Sequence, residues 1–176
     1  MSAIPQRYLE IINPLIAQAR AFLEKGEPLA PIAFVGNFTT GAIAPVAIAT
    51  DTIDAKDRIA DSIRLLAGQM DADFVFLLME AYSLRPDKVP RYEEIIDEYG
   101  SLANCPANWR MEVVSLTLET LHGVWVAQPM VKPKGVSKKK RTFGTPEFRH
   151  FTEVQGRFVD LLPAKAAMTE GSGRLH

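Results

Sequence analysis

The chain has 176 residues, of which 47% are hydrophobic and 23% are charged. This is typical of a soluble globular protein whose length fits one domain with a substantial core. No apolar run approaches the roughly 20 residues of a membrane-spanning helix, and the first seven residues lack the features of a secretory signal. Cys105 is the single cysteine, which excludes an internal disulfide and a cysteine-rich metal site. We expect a cytoplasmic protein that does not bind membranes.

The net charge of -1 hides an uneven distribution of charged residues. Residues 1–131 contain 10 Lys/Arg and 17 Asp/Glu, whereas residues 132–176 contain 10 and 4. Such a split predicts either that the basic C-terminal part folds back on an acidic body, or that it binds an anionic partner.

Two helices are predicted in the first half of the chain. Apolar residues recur at spacings of three and four from Tyr8 to Leu23, which indicates an amphipathic helix that ends near Gly26. Pro14 should kink this helix or split it near Asn13, because proline removes a backbone hydrogen bond. A second amphipathic helix is predicted over about 55–70.

A β-hairpin is predicted between these helices. Apolar segments at 31–35 and 42–49 flank turn-forming residues at 36–41. Pro45 cannot donate a ladder hydrogen bond, so the second strand should lie at a sheet edge or carry a bulge. The polar loop 37–41 offers hydroxyl and N–H groups to a ligand, although such loops more often only satisfy hairpin geometry.

The stretch 73–82 is the most informative part of the sequence. Six large apolar side chains follow Asp73 without interruption, and the run ends at Glu80 and Tyr82. A short apolar run bounded by charged residues indicates a strand that is buried on both faces. We expect it near the middle of the sheet.

The second half of the chain predicts four further elements. Residues 91–99 form a short helix closed by Gly100, or alternatively a strand. β-Branched residues at 111–120 and 124–131 predict a second hairpin. Lysine-rich residues 132–142 predict a mobile, solvated loop, and apolar spacing after Thr145 predicts a helix that ends at Pro163.

These elements define an α+β fold. We predict a largely antiparallel sheet of about five strands, consisting of two hairpins and the central strand 73–82, with three or four helices packed on one side. Residues 1–163 should form a single domain that includes the basic loop, and residues 164–176 a weakly ordered tail.

Glu80 and Tyr82 are the candidate catalytic residues. Residues two apart on a strand point to the same face, and a carboxyl at the end of a buried strand suits general acid or base catalysis. The alternative is structural: Glu80 forms a salt bridge with Arg85 or Arg91, and Tyr82 covers the core with its hydroxyl in water.

Arg91 with Glu93 and Glu94 is a second cluster. Beside Glu80, these carboxylates would suit a divalent cation, and Arg91 would suit an anionic substrate. A solvated helix face is the simpler interpretation. The three histidines lack ligand spacing, so a zinc hydrolase site is not predicted, and no cofactor is identified.

The basic run Lys138, Lys139, Lys140 and Arg141 is the clearest candidate for anion or partner binding. Four adjacent cations suit the phosphates of a nucleic acid or an acidic protein surface. Phe143 is the one aromatic nearby, so base stacking is poorly supplied. A solvated loop, or a loop docked on the acidic body, is the alternative.

Two functional hypotheses follow. The first is a binding or assembly module that self-associates and contacts an anionic or protein partner through 132–141. The second is an enzyme that uses carboxylates at the end of the 73–82 strand, with or without a divalent metal.

Overall fold

The computed structural model describes residues 3–48, 53–152 and 160–163. In chain order the helices and strands are α1 Gln6–Glu24, β1 Ile32–Gly36, β2 Ile43–Ala47, α2 Ile53–Met70, β3 Phe74–Leu84, α3 Tyr92–Tyr99, β4 Arg110–Thr120, β5 Gly123–Ala127, β6 Val131–Pro133, β7 Arg141–Phe143 and β8 Arg149–Phe151. Within these ranges, no helix is both long and apolar enough to cross a membrane.

The main sheet has six described strands in the order β2-β1-β3-β4-β5-β8, and every neighbouring pair is antiparallel. Strands β6 and β7 form a separate two-stranded ribbon. The predicted α+β class, both hairpins and the largely antiparallel sheet are confirmed. The additional strand is β8, where the sequence had indicated a helix.

Strand β3 lies inside the sheet, as predicted for the apolar stretch 73–82. It pairs with β1 through residues 74–78 and with β4 along all eleven of its residues. Phe74 and Phe76 are almost completely buried. The interior strand therefore organises the sheet, and it ends two residues later than the sequence indicated.

The two faces of β3 are covered by different helices. Phe74, Phe76 and Leu78 belong to the core that α1 covers, whereas Val75 and Leu77 pack with α2. The expectation that the helices lie on one side of the sheet is therefore wrong. A strand with apolar side chains on both faces needs a packed layer on each side, since either face would otherwise be exposed to water.

Helix α1 continues through Pro14, so the predicted split near Asn13 is wrong. Pro14 and Glu10 both lie on the exposed side of the helix, where water can replace the missing backbone hydrogen bond. The helix ends at Glu24, near Gly26 as predicted, and the φ of Gly26 is 85°. The N–H of Glu27 donates to the carbonyl of Phe22 at 3.0 Å, which closes the last turn.

The first hairpin has the predicted edge strand. Pro45 lies opposite Phe34 on β2, at the end of the strand order. In the turn, the Asn37 side chain donates to the carbonyls of Met70 and Asp71 at 2.9 and 2.8 Å. Asn37 therefore joins the turn to the end of α2, which supports a structural role for this loop.

In the second half of the chain, one predicted helix is confirmed and another is wrong. Residues 92–99 are helical, and Gly100 closes the helix with a φ of 80°. The predicted helix after Thr145 is wrong for residues 149–151, which pair with β5 as a strand. An open strand edge offers hydrogen bonds that outweigh a weak helical spacing. Residues 153–159 and the predicted tail 164–176 lie outside the described residues.

Close packing between β1 and β3 requires glycine at position 36, and a substitution there tests this requirement. A Cβ added at Gly36 would lie 2.2 Å from the Phe74 ring, directly across the β1–β3 pair. We predict that Gly36→Ala lowers the free energy of unfolding by about 1–3 kcal/mol, because the ring must move. Urea denaturation measures this.

The matched control is Gly68→Ala in α2, where an added Cβ meets nothing within 4 Å. Alanine is the better helix former, so this variant should gain about 0.5–1 kcal/mol. A stable Gly36→Ala protein would contradict the packing described here.

Candidate functional site

The lysine-rich segment is a β-hairpin, which we call the basic hairpin (residues 131–143). Pro133 lies opposite Arg141 in the β6–β7 ribbon, and the N–H of Lys134 donates to the carbonyl of Lys140 at 2.9 Å. The expected mobile loop is therefore a hairpin whose ends are paired and whose strands are connected by a turn, the seven residues 134–140. Val136 is fully exposed in that turn.

The basic hairpin packs against α1 and is hydrogen-bonded to it. Phe143 is buried in the core that α1 covers. The Arg20 guanidinium lies 4.6 Å from the Phe143 ring and donates to the carbonyls of Phe143 and Gly144 at 2.9 and 3.1 Å. At the end of α1, a Cβ added to Gly26 would lie 3.3 Å from the Cβ of Lys139. The hairpin thus packs along the helix.

Glu24 is the first acidic contact of the basic hairpin. Its carboxylate pairs with the Lys134 Nζ at 2.8 Å and accepts a hydrogen bond from the Thr142 hydroxyl at 2.6 Å. The hydrogen bonds from Lys134 and Thr142 lower the pKa of Glu24 below its ordinary value. This contact holds the two strands of the ribbon to the last turn of α1.

Glu80 is the second acidic contact. Its Oε1 lies 2.6 Å from the Arg141 Nη1, and its Oε2 accepts the backbone N–H of Leu29 at 3.1 Å. Glu112 lies further from the same Arg141 nitrogen, at 3.8 Å. Glu80 therefore ties β3 to the segment before β1 and to the basic hairpin.

Glu80 forms a salt bridge, but neither Arg85 nor Arg91, the two arginines expected from the sequence, is its partner. Arg85 donates to the carbonyl of Asn108, while Arg91 pairs with Glu94 at 3.3 Å and lies 5.1 Å from the Trp109 ring. The partner of Glu80 is Arg141, 61 positions along the chain. Nearness in sequence suggested the first two, but the fold brings in a residue from the other end.

Glu80 and Tyr82 do line one cleft, of about 410 Å³, together with Glu112 and Arg141. The Arg110 guanidinium covers the Tyr82 ring at 4.3 Å. Both Glu80 oxygens already have hydrogen-bond donors. Across the described residues, no three His, Cys, Asp or Glu side chains are grouped to hold a metal ion.

The lysines of the hairpin turn have a different environment. Lys138, Lys139 and Lys140 are exposed. Within the described part of the chain, none of them forms a salt bridge, in contrast to Lys134 and Arg141. The hairpin thus divides into a base that is paired with the acidic body and a turn whose cations remain available.

Glu119 is a buried carboxyl that the sequence did not single out. Its two oxygens accept the backbone N–H groups of Leu161 and Leu162 at 3.0 and 2.7 Å. Burial raises the pKa of Glu119, and these two hydrogen bonds only partly oppose the shift. A raised pKa often marks an active site, but these contacts assign Glu119 to anchoring residues 161–162 on β4.

Comparison with known proteins identifies no family. The chain matches no protein-family model, no curated protein and no solved structure. Its function must therefore be inferred from its own charges and contacts. The exposed lysines of the hairpin turn are the strongest of these features, because the contacts at the hairpin base hold both ends of the turn.

The Glu80–Arg141 contact should contribute to stability. We predict that Glu80→Gln lowers the free energy of unfolding by about 1 kcal/mol at low salt, because it removes a charge-assisted hydrogen bond between half-buried groups. Glu112→Gln is the control. Its contact with Arg141 is longer and its side chain is 57% exposed, so the loss should stay below about 0.5 kcal/mol. Equal losses in urea denaturation would contradict the pairing.

The raised pKa of Glu119 predicts a pH dependence of stability. The folded state binds this proton more tightly than the unfolded chain, whose ordinary pKa is near 4.5. The Glu119 carboxyl therefore stabilises the folded protein most when the pH lies below the unfolded pKa. This stabilisation declines as the pH rises through the pKa of the folded state. Glu119→Gln removes this titration, so the stability advantage of the natural protein should shrink as the pH rises toward neutral.

Urea denaturation of both proteins at a series of pH values checks this. An advantage that grows toward neutral pH would show that the hydrogen bonds to Leu161 and Leu162 outweigh burial. The carboxyl of Glu119 can also be titrated directly by carbon NMR.

Proposed function

We propose that this protein is a binding module that holds an anionic partner, either a nucleic acid or an acidic protein, on its basic hairpin. The observation that carries the proposal is the contrast within the hairpin. Its base is paired with Glu24 and Glu80, while Lys138, Lys139 and Lys140 are exposed without salt bridges among the described residues.

The ordered base favours binding. Lysines on a flexible loop lose conformational freedom when they meet a partner, and that loss weakens the complex. Here the ribbon, the Phe143 anchor and the two acidic contacts hold both ends of the turn. Three neighbouring cations are thereby presented together, which raises the local positive potential and the rate of encounter with an anion.

The chemistry of the hairpin favours recognition of charge over recognition of bases. Phe143, its one aromatic residue, is buried and covered by Arg20, so no ring is available there for stacking. A nucleic acid would then be held by its phosphates, with strong salt dependence and little sequence preference.

The proposal includes self-association and a cytoplasmic location. The buried thiol of Cys105 is free, which suits a reducing compartment.

For self-association, pairing through the β2 edge is disfavoured. The bonds from Asn37 to Ala42 and from Ile48 to Pro31 direct the backbone of Pro45 outward, where it has no N–H to donate.

Exposed apolar side chains on α1 and β2 offer other points for self-association. Phe22 and Ile43 are 39% and 41% exposed, and side-chain packing between copies needs no strand edge. Light scattering during gel filtration measures the mass of the particle, and a monomer at every concentration would reject this part of the proposal.

A carboxylate enzyme is the alternative function. The observation in its favour is the cleft that Glu80 and Tyr82 share with Glu112. Against it, both oxygens of Glu80 accept hydrogen bonds from Arg141 and Leu29, so a general base there would first have to exchange these partners.

The binding proposal predicts the effect of replacing three lysines. We expect Lys138→Ala, Lys139→Ala and Lys140→Ala combined to abolish binding of a labelled oligonucleotide or of polyglutamate at about 50 mM salt, because each cation neutralises one partner charge. Fluorescence anisotropy measures this. The free energy of unfolding should change by less than about 0.5 kcal/mol, since these side chains are exposed. Arg141 is kept because it holds Glu80.

The control combines Lys56→Ala, Arg58→Ala and Lys88→Ala, which lowers the net charge equally but lies outside the hairpin. It should bind nearly as well as the natural protein. Loss of binding in both triple variants would indicate a general charge effect, and no binding of either probe by the natural protein would reject the proposal.

A further inference from the structure

A cavity lies between the basic hairpin and β4. Its volume is about 380 Å³, at the small end of the range for small-ligand sites. Three cationic residues line it, Lys132, Lys138 and Arg141, together with one carboxylate, Glu112. The cavity meets the Glu80–Tyr82 cleft at Glu112 and Arg141, which line both.

Arg141 is oriented before any ligand arrives. Glu80 holds its Nη1 at 2.6 Å, and Arg141 is half-buried, with 27% of its side chain exposed. Among the described residues, no acceptor engages its Nε or Nη2. An arginine whose orientation is fixed from one side, with further N–H donors left over, is well suited to bind the oxygens of a phosphate or carboxylate.

The remaining polar residues of the cavity also suit an anion. Lys138 is exposed and unpaired within the described chain. Ser137 accepts the N–H of Lys139 through its hydroxyl oxygen at 3.3 Å, so its own O–H remains a donor. Three cations and Glu112 give the lining a charge of +2, and Glu80, which pairs with Arg141 from the adjoining cleft, lowers the local charge to +1. The site therefore stays positive and attracts the negative charge of a phosphomonoester.

We propose that this cavity binds a single terminal phosphate group, with Arg141 as the central donor and Lys138 and Ser137 at the rim. Glu80 acts as a positioning residue that holds the guanidinium in place. This inference rests on the proposed function, because it assigns one point of the same hairpin to one charged group of the anionic partner. It goes further in distinguishing Lys138, which lines the cavity, from Lys140, which does not.

The test is an NMR titration of the isotope-labelled protein with inorganic phosphate, at ionic strength held constant with chloride. We expect saturable shifts of the hairpin amides, with a dissociation constant on the order of millimolar. Lys138→Ala and Arg141→Lys should each weaken phosphate binding by about 5–10-fold, since the first removes a charge and the second keeps the charge but loses the planar fork. Arg141→Lys retains a cation beside Glu80, so the hairpin base stays paired.

Lys140→Ala is the matched control, with the same residue type, hairpin and charge change. It should weaken phosphate binding by less than about twofold. Equal effects of Lys138→Ala and Lys140→Ala, or the absence of saturation up to about 20 mM phosphate, would overturn the inference.

A second comparison separates this inference from the proposed function. An oligonucleotide with a 5′-phosphate should bind more tightly than the same oligonucleotide without it, and Lys138→Ala should abolish the difference. If the two oligonucleotides bind equally well and the triple-lysine variant binds neither, the cavity inference fails while the proposed function stands. If inorganic phosphate saturates the cavity but neither polyanion binds, the proposed function fails while the phosphate site stands.

Discussion

The segment of β3 from Phe74 to Leu78 has apolar side chains on both faces, and both faces must be shielded from water. Helix α1 covers Phe74, Phe76 and Leu78, and α2 covers Val75 and Leu77. This requirement fixes a three-layer arrangement of helix, sheet and helix. It also accounts for Gly36, since the Phe74 ring occupies the space that any larger residue would need.

The candidate binding site lies where this two-sided burial ends. Beyond Leu78 the same face of β3 continues with Glu80, which meets Arg141 of the basic hairpin and the N–H of Leu29. Partly buried charge favours a paired partner, because desolvation of a lone carboxylate is costly. The contact therefore serves two purposes: it closes the end of the core, and it orients a guanidinium at the junction of two clefts.

Local features of the sequence predicted local features of the structure well. Pro45 indicated an edge strand, Gly26 and Gly100 indicated helix ends, and the run after Asp73 indicated the interior strand. Each rests on a property of a few neighbouring residues, such as a missing N–H or a positive φ. The partner of Glu80 was not predictable in this way, because salt bridges between distant segments leave no periodicity in the chain.

The amino-acid sequence alone determined the α+β class, the strand at the centre of the sheet and the separation of an acidic body from a basic C-terminal part, since these depend on composition and on side-chain spacing. Only the tertiary structure decided that the helices lie on both faces, that residues 149–151 extend the sheet, and that Glu24 and Glu80 engage Lys134 and Arg141 while the lysines of the turn stay available. The reason is physical: long-range pairing depends on which surfaces meet in the folded protein, and a chain carries that information only in the sum of many weak contacts.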